Sequence, residues 1–393
     1  MSDQAGPPAE FADYQFEIYL GGLSGTTPDL PFVYDELQAR AREHLSPESY
    51  WYVAGSAGSG KTAEANLEAL GRWRIVPRML RDVGRRYLST TVLGTDMPAP
   101  IMLGPVGVQS IVHDDAELAT ARAAAALGLP MVLSTASSTP IEDVAAALDG
   151  SPGWYQLYWP GDEELTASFL SRAEAAGYRA VVVTLDTMLL AWRPHDLTQA
   201  YLPFIQGVGL ANYFSDPVFR SRLEKSPDED VMAAVLQFQQ VYSDPSTTWE
   251  RLAFIREHTS LPIVLKGIQH AEDASRAADA GVNGVIVSNH GGRQVDGAIG
   301  SLEVLPEVVD AVGDRLTVLF DSGIRSGADV FKALALGAKA VLLGRPYMWG
   351  LALAGEQGVR HVLRSFLAEL ELTMALAGCS SVADIDRDAL RSN

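Results

Sequence analysis

Residues 281–297 read GVNGVIVSNHGGRQVDG, and residues 316–346 read LTVLFDSGIRSGADVFKALALGAKAVLLGRP. Short apolar runs rich in β-branched residues lie at 284–288, 316–320 and 340–343, and each is followed at once by a turn that carries glycine and charged or imidazole groups. This order is typical of the carboxyl end of a parallel strand, where α/β barrels place their reactive groups. Glycine lets the backbone approach a ligand, and arginine can hold a carboxylate or phosphate through two parallel hydrogen bonds.

The same alternation of strand and helix patterns continues along most of the chain. The predicted strands cover residues 101–103, 131–134, 154–158, 181–185, 263–266, 285–288, 316–320 and 340–343. The predicted helices between them cover residues 115–127, 141–147, 163–176, 271–280, 303–312 and 327–336. Eight parallel strands joined by helical crossovers predict an α/β fold of the (β/α)8, or TIM barrel, type.

The predicted domain organisation has three parts and one insertion. Residues 1–13 are expected to form a flexible tail, residues 14–97 an N-terminal helical segment, and residues 98–393 the barrel. The strand spacing breaks once, between Asp186 and Ile263, where the gap is far longer than an ordinary strand-to-helix loop. We interpret residues of about 194–250 as a lid inserted after the fourth strand, over the active-site face.

Composition excludes several classes of protein. The chain has 393 residues, with 30 Lys and Arg against 49 Asp and Glu, a net charge of −19 that argues against a nucleic-acid partner. A single cysteine, Cys379, excludes intrachain disulfides and cysteine zinc sites, and no histidine pair has metal-ligand spacing beside a carboxylate, so no metal is expected. The N-terminus has no signal-peptide pattern, and no apolar run approaches the ~20 residues of a membrane span. We therefore expect no membrane association and a cytoplasmic location.

Two strand ends carry a combination of residues that suits acid–base chemistry. His290 follows the sixth strand, and an imidazole there is the usual general base near neutral pH. Asp186 ends the fourth strand, well placed to orient a histidine across the barrel mouth. Arg293 and Arg193 are candidates for clamping a substrate carboxylate. The structural alternatives are a loop histidine with a solvated arginine, and a helix N-cap for Asp186.

Other strand ends carry groups that suit a negatively charged ligand. Lys266 ends the fifth strand and could hold negative charge on a ligand or reduced cofactor, although a salt-bridged structural lysine is the alternative. Gly323, Arg325, Gly344 and Arg345 follow the seventh and eighth strands, where barrels commonly bind phosphate.

The stretch GSAGSGKT at residues 55–62 matches the pattern of a nucleotide-binding P-loop. A true P-loop follows a strand of a βαβ nucleotide domain, whereas here helical patterns surround it. We interpret it as a glycine-rich loop that caps the following helix, and a P-loop nucleotide-binding protein remains the alternative.

Several motifs together resemble the FMN-dependent L-α-hydroxy acid oxidases and dehydrogenases. They are SNHGGR at 288–293, DSGIR at 321–325 and GRP at 344–346, and the resemblance extends from about residue 14 to the C-terminus. Within this family, YQLY at 155–158, LDT at 185–187, WRP at 192–194 and NYFSDPV at 212–218 look most like the lactate 2-monooxygenases.

The resemblance implies FMN as cofactor of the barrel and assigns roles to individual residues. It implies that His290 is the base, Asp186 its carboxylate partner, and Tyr158 a group near the substrate hydroxyl. It implies that Tyr52, Arg193 and Arg293 bind the substrate carboxylate. The residues that it implies for FMN are Gly107, Ser134, Gln156, Thr184, Lys266 and Ser288 around the ring system and ribityl chain, and Asp321, Gly323, Arg325, Gly344 and Arg345 around the ribityl chain and phosphate.

The implied reaction is oxidation of an L-2-hydroxy acid, with lactate as the first candidate, by FMN and O2. In a monooxygenase the 2-oxo acid stays enclosed and is decarboxylated, so lactate gives acetate, CO2 and water. The alternatives are an oxidase that releases the oxo acid and peroxide, a dehydrogenase with another electron acceptor, or a flavin-bound protein without turnover. Ala136 and Met188 are interpreted as positions that widen the substrate pocket. A homotetramer or homo-octamer is expected.

Overall fold

The computed structural model describes residues 9–393, and eight parallel strands in it close into a barrel. The strands are β1 (Ile101–Leu103), β2 (Met131–Ser134), β3 (Gly153–Tyr158), β4 (Val181–Thr184), β5 (Ile263–Ile268), β6 (Gly284–Val287), β7 (Thr317–Phe320) and β8 (Val341–Leu343). Each strand pairs with the next in chain order, and β8 pairs with β1. The predicted (β/α)8 barrel is therefore confirmed, with strand boundaries within two residues of those expected.

The interior of the barrel is an apolar cluster to which every strand contributes one side chain. These side chains are Met102, Val132, Trp154, Val182, Val264, Ile286, Leu319 and Leu342. Alternate residues of the same strands face outward and pack against the helices, as the two-residue period of a strand requires. A hairpin of strands Thr90–Val92 and Thr95–Met97 adds Val92 and Met97 to the interior cluster. Because this hairpin directly precedes β1, it closes the amino end of the barrel and leaves the carboxyl end for the site.

Helices surround the barrel, and most of them lie where the sequence predicted. Those within the barrel domain, outside the lid, are Ala116–Ala126, Ile141–Ala147, Glu163–Ala175, Ala271–Asp279, Ser301–Val312, Gly327–Ala335 and Arg345–Ala377. The last helix was not predicted. It has 33 residues and is broken by non-helical backbone at Ala354 and Gly355. One-turn 3-10 helices cover Gln109–Ile111, His290–Gly292, Val382–Asp384 and Arg387–Ala389.

The N-terminal segment packs on the outside of the barrel. Its helices are Asp13–Leu23, Tyr34–His44, Pro47–Ala54 and Lys61–Arg72, and its strand Trp73–Ile75 pairs with the C-terminal strand Leu390–Ser392. Residues 1–8 of the expected tail lie outside the described residues. The backbone N–H of Ala12 donates to the buried carboxylate of Glu371 at 2.9 Å, so defined contacts begin before residue 14. Among residues 9–393, no helix combines the length and the apolar character that crossing a bilayer requires.

The predicted insertion between β4 and β5 is folded. It contains the helices Pro194–Thr198, Ala211–Phe214, Pro217–Ser221, Val231–Val241 and Leu252–Glu257, and the 3-10 helices Pro203–Gln206 and Trp249–Arg251. An aromatic cluster fixes its middle, because the buried rings of Tyr213 and Phe219 lie 5.6 Å apart and Phe238 packs on Tyr213. The side-chain amide of Asn212 donates to the backbone oxygens of Ser134 and Thr135, which ties this segment to the end of β2.

Candidate active site

A single cavity at the carboxyl ends of the strands brings together twelve of the residues that the sequence singled out. They are Tyr52, Gly107, Tyr158, Arg193, Lys266, His290, Arg293, Asp321, Gly323, Arg325, Gly344 and Arg345. They come from the N-terminal segment, from the barrel loops and from the start of the lid, so only the closed barrel makes them neighbours. The other five are Asp186, which contacts His290, and Ser134, Gln156, Thr184 and Ser288, which are buried around the cavity.

His290 is held in a fixed orientation by both its backbone and its ring. Its backbone adopts the left-handed conformation, with φ of 56°, and its N–H donates to Ser288 Oγ at 3.1 Å. The ring Nδ1 lies 2.9 Å from Asp186 Oδ1, and the hydroxyl of Thr187 donates to the same carboxylate oxygen at 2.8 Å. A carboxylate at Nδ1 places the ring proton there. The lone pair of Nε2 is therefore free to accept a proton.

The charges around this pair favour a neutral histidine and an ionised aspartate. Burial lowers the pKa of His290, and the nearby Lys266 lowers it further, against the opposing effect of Asp186. Burial alone would raise the pKa of Asp186, but the charges of His290 and Lys266 and its hydrogen bonds lower it to about 2. The site thus holds a base that is unprotonated near neutral pH beside an anion that can stabilise it once it becomes protonated.

Two arginines next to His290, the buried Arg193 and the partly buried Arg293, have no anionic partner. Arg193 is 7% exposed, and it donates to the backbone oxygen of Arg293 at 3.2 Å and to Gln294 Oε1 at 2.7 Å. Arg293 donates to the backbone oxygen of Gly55 at 2.9 Å and lies over the ring of Tyr52. Among residues 9–393, neither guanidinium takes part in an ion pair. Burial, followed by the charges of Arg193 and Arg345, lowers the pKa of Arg293, so a bound anion would stabilise this cluster.

The two arginines that were predicted to bind a phosphate differ in how many of their N–H donors are already used within the protein. Arg345 donates to the backbone oxygens of Val53 at 3.0 Å, Gly291 at 3.0 Å and Gly55 at 2.9 Å. Its guanidinium therefore fastens two loops that line the site. Arg325 stacks on the ring of Tyr34 at 4.3 Å, remains about a third exposed and has one long ion pair, 3.8 Å from the exposed carboxylate of Asp35, so it is less constrained than Arg345.

The strand ends around Lys266 fit the polar edge of a flavin. Lys266 Nζ donates to Ser288 Oγ at 2.9 Å and lies 3.2 Å from Asp321 Oδ2, so a positive charge is fixed there. Nearby, the buried Gln156 Nε2 and Thr184 Oγ1 have no hydrogen-bond partner among the described residues. Buried polar groups are rarely left unpaired, so these two orphan groups point to a ligand that completes them.

Two glycines make room for such a ligand along the cavity wall. A side chain on Gly107 would place its Cβ 2.5 Å from the backbone oxygen of Ala136, so the two loops can approach this closely only with glycine. Gly323 has φ of 96°, a conformation that glycine adopts without strain. These features fit FMN in the positions that the sequence motifs implied.

The structure also identifies site residues that the sequence did not. Leu190, Phe204 and Tyr242, all from the segment between β4 and β5, form an apolar wall of the cavity, and the ring of Tyr242 lies 5.9 Å from that of Tyr158. Met188, in contrast, is 49% exposed and is not among the residues that line the cavity, so interpreting it as a pocket position was wrong. No local motif marks Phe204 or Tyr242, because only the path of the lid brings them here.

The P-loop-like stretch binds a carboxylate that comes from another loop of the same chain. The backbone N–H groups of Ser59 and Lys61 donate to the carboxylate of Asp296 at 2.6 and 2.7 Å, at the N-terminus of the helix Lys61–Arg72. The Lys61 side chain pairs with Glu64 at the surface. Asp296 thus occupies the place where a P-loop would bind phosphate. The loop leads into the helix with Gly60 at its N-cap position, but the group that caps the helix N–H is Asp296 and not a residue of the loop. Among residues 9–393, no group of His, Cys, Asp and Glu is placed to hold a metal ion.

Comparisons with known proteins agree with this geometry. Residues 41–392 match the family model described as FMN-dependent dehydrogenase. The chain is 49% identical to an FMN-dependent alpha-hydroxy acid dehydrogenase of Penicillium citrinum, over 98% of this chain and 97% of that protein. It is 41% identical to an L-lactate oxidase of Lysinibacillus sphaericus, over 96% and 97% of the two chains. Among solved structures, a mandelate oxidase is similar with a TM-score of 0.82 and 40% identity, covering 92% of this chain and 98% of that one.

Proposed function

The chain belongs to the FMN-dependent dehydrogenase family and is an FMN-dependent α-hydroxy acid oxidoreductase, and from that premise we propose its substrate and electron acceptor. The proposed substrates are L-2-hydroxy acids with an apolar group on C2, of which L-lactate is the smallest, and the proposed acceptor is O2. The observation that carries the proposal is the pair of Arg193, which is buried, and Arg293, which is partly buried, without an anionic partner and beside the free Nε2 of His290.

Each part of such a substrate has a matching group in the cavity. The carboxylate pairs with Arg193 and Arg293, with Tyr52 alongside, because buried guanidinium groups bind carboxylates through strong charge-assisted hydrogen bonds. The 2-hydroxyl lies near Tyr158 and His290. His290 accepts a proton through Nε2, and Asp186 stabilises the resulting imidazolium through the Nδ1 hydrogen bond. When bound, FMN supplies the chemistry that accepts two electrons from the substrate.

We further propose that the product is retained under the lid long enough to be decarboxylated. In the first step L-lactate and O2 give pyruvate and hydrogen peroxide. In the second, pyruvate and hydrogen peroxide give acetate, CO2 and water. Two features support retention: the apolar wall of Leu190, Phe204 and Tyr242, and the hydrogen bonds that tie Asn212 of the lid to the end of β2. An enclosed site slows product release and excludes water.

The relatives favour a second candidate, an oxidase that releases the 2-oxo acid and peroxide. Two of them are named L-lactate oxidase, from Lysinibacillus sphaericus and from a Nostoc species, and another is the 4-hydroxymandelate oxidase of Amycolatopsis orientalis. A dehydrogenase that passes electrons to another acceptor is the third, since the Penicillium relative carries that name. The three differ in what happens after the flavin is reduced, so one experiment separates them.

The test is anaerobic mixing of the FMN-loaded protein with L-lactate, followed by admission of air. Bleaching of the flavin by L-lactate but not D-lactate is expected, and rapid reoxidation by O2 follows. Catalase is present so that free peroxide cannot decarboxylate pyruvate in solution. If the products are mainly acetate and CO2, they support retention of the oxo acid under the lid. If the product is mainly pyruvate, the protein is an oxidase. Reduced flavin that persists in air argues for another acceptor. Absence of any bleaching by 2-hydroxy acids would contradict the proposed substrate class.

We also propose that the chain assembles as a homotetramer or homo-octamer. The helix Asp13–Leu23 presents Phe16, Tyr19, Leu20 and Leu23 to solvent at a spacing that places them on one face. Contiguous apolar surface of this kind is typical of protein interfaces. Sedimentation velocity of the wild type and of Leu20→Glu tests this, and a wild-type monomer would contradict it.

A further inference from the structure

A second pocket lies against the active-site cavity on the lid side. Leu190, Phe204 and Tyr242 line both spaces, so these three side chains form a shared wall. Leu202 and Ile205 lie on its far side. All but one of the residues that line this second pocket are aliphatic or aromatic. An apolar pocket next to the proposed active site suits an extension of the molecule bound there.

In the substrate pose proposed above, this apolar wall is the part of the cavity left for the C2 substituent. The carboxylate is drawn to Arg193 and Arg293, and the hydroxyl to His290. The ring of Tyr242, which belongs to the wall, lies 5.9 Å from that of Tyr158 and 6.3 Å from that of Phe204. A substituent in that direction meets the rings of Tyr242 and Phe204, and we infer that a longer chain passes between them.

The size of the second pocket indicates what it can hold. Its volume is about 140 Å³, close to that of engineered apolar cavities of ~150 Å³ that take up benzene. Leu190 is 56% exposed, so its side chain can move aside without disturbing the core. Resting on the function proposed above, we propose that this pocket binds the distal part of the C2 substituent. The substrate class is then 2-hydroxy acids with a long alkyl or aryl-terminated chain, whose end lies beyond the wall.

The test compares substrates of different length in flavin reduction under anaerobic conditions. The probes are L-lactate, L-2-hydroxybutanoate, L-2-hydroxyoctanoate and L-3-phenyllactate. Each additional buried CH2 is expected to raise kcat/KM about fourfold until the pocket is filled. Affinity for the matching oxo acids, pyruvate and 2-oxooctanoate, is measured by calorimetry and should follow the same order.

One substitution fills the pocket from its far side. Ile205 lines the second pocket but not the active-site cavity, and Ile205→Trp should lower the octanoate-to-lactate ratio of kcat/KM by roughly tenfold or more, since several CH2 groups lose their site. The matched control is Leu236→Trp, because Leu236 is equally exposed on the lid, at 53% against 49%, and lines neither space. The control should keep the wild-type ratio. Phe204→Ala, which removes part of the wall, should raise it.

Three outcomes overturn the inference without touching the proposed function. They are a wild type that prefers lactate to every longer acid, unchanged kcat/KM for both lactate and octanoate in Ile205→Trp, and an equal loss for both acids in that variant, which would make the pocket an entry route. If no 2-hydroxy acid of any length reduced the flavin, the proposed function itself would fail.

Discussion

His290 Nδ1 and Asp186 Oδ1 lie 2.9 Å apart, although 104 residues separate them in the chain. The closed barrel places the ends of β4 and β6 on the same rim, and the segment between β4 and β5 contributes Leu190, Phe204 and Tyr242 to the same cavity. A side chain on Gly267 would place its Cβ 2.9 Å from that of Asp186, so the neighbouring strand end must be glycine for the pair to fit. The pair explains how one histidine can act as a base in a cavity that also contains four arginines.

Replacement of the base should nearly abolish chemistry while leaving the cofactor bound. His290→Gln keeps the shape of the loop but removes the proton acceptor, and loss of a general base typically costs about 10²–10⁴-fold. The measurement is the rate of flavin reduction in anaerobic stopped flow. His258→Gln is the control, because His258 is exposed and stacks on Phe254 away from the cavity. Reduction of the His290 variant near the wild-type rate would remove His290 from the mechanism.

The pH dependence should report the lowered pKa of His290. Burial and Lys266 hold this pKa below the ordinary value of 6.5, and the base acts in its neutral form. As pH falls, activity should therefore decline on an acidic limb whose midpoint lies below 6.5. The measurement is kcat/KM for L-lactate against pH. An acidic limb that breaks above pH 6.5 would show that Asp186 outweighs burial and Lys266.

Removal of one clamp arginine should weaken anion binding without destabilising the ligand-free protein. Arg293→Met deletes a hydrogen bond to a charged group, worth about 1.5–3 kcal/mol, or roughly 10- to 150-fold in the Kd of the 2-oxo acid. The same change relieves repulsion with Arg193 and Arg345, and Arg345 still donates to Gly55, so the Tm without ligand should not fall. Arg220→Met, an exposed lid substitution, serves as control. Unchanged Kd in Arg293→Met would place the carboxylate elsewhere.

The P-loop-like stretch should be irrelevant to nucleotides. We expect that neither the wild type nor Lys61→Ala binds ATP. Lys61→Ala should also leave turnover unchanged, because Lys61 pairs with Glu64 at the surface. Asp296→Ala, in contrast, should lower the Tm, since it leaves the backbone N–H groups of Ser59 and Lys61 without their acceptor. Turnover assays, calorimetry with ATP and thermal melts check these expectations. Loss of both activity and ATP binding in Lys61→Ala would restore the nucleotide hypothesis.

A looser lid should change the products more than the chemistry. Phe219 is buried against Tyr213, and Phe219→Leu keeps the site apolar while removing part of that contact. The acetate-to-pyruvate ratio with L-lactate, measured with catalase present, should fall while flavin reduction stays near normal. Phe254→Leu, outside the aromatic cluster, is the control and should leave the ratio unchanged. An unchanged ratio in Phe219→Leu would show that product retention depends on another part of the pocket.

The sequence by itself determined the barrel and the strand ends that carry its chemistry. Runs such as residues 181–184 and 284–287 are short and β-branched, and their conformation follows from local preference and burial. The two glycines after His290 also predict the turn there, because Gly291 and Gly292 both adopt positive φ, as such a turn requires. Local rules therefore place His290, Lys266 and Arg293 at the carboxyl ends of strands, on one rim of the barrel.

Only the tertiary structure decided how those groups are used. Arg345 is of a residue type that often binds phosphate. Its guanidinium nevertheless donates hydrogen bonds to three backbone oxygens that lie far from it in the chain. Asp296 caps a helix more than 230 residues away in the chain. Because of this contact, the P-loop-like stretch has a structural role. Phe204 and Tyr242 line the cavity, whereas the side chain of Met188 is exposed to solvent. Such contacts depend on the path of the lid and the closure of the barrel, and residues far apart in the chain leave no local pattern that records which of them will meet.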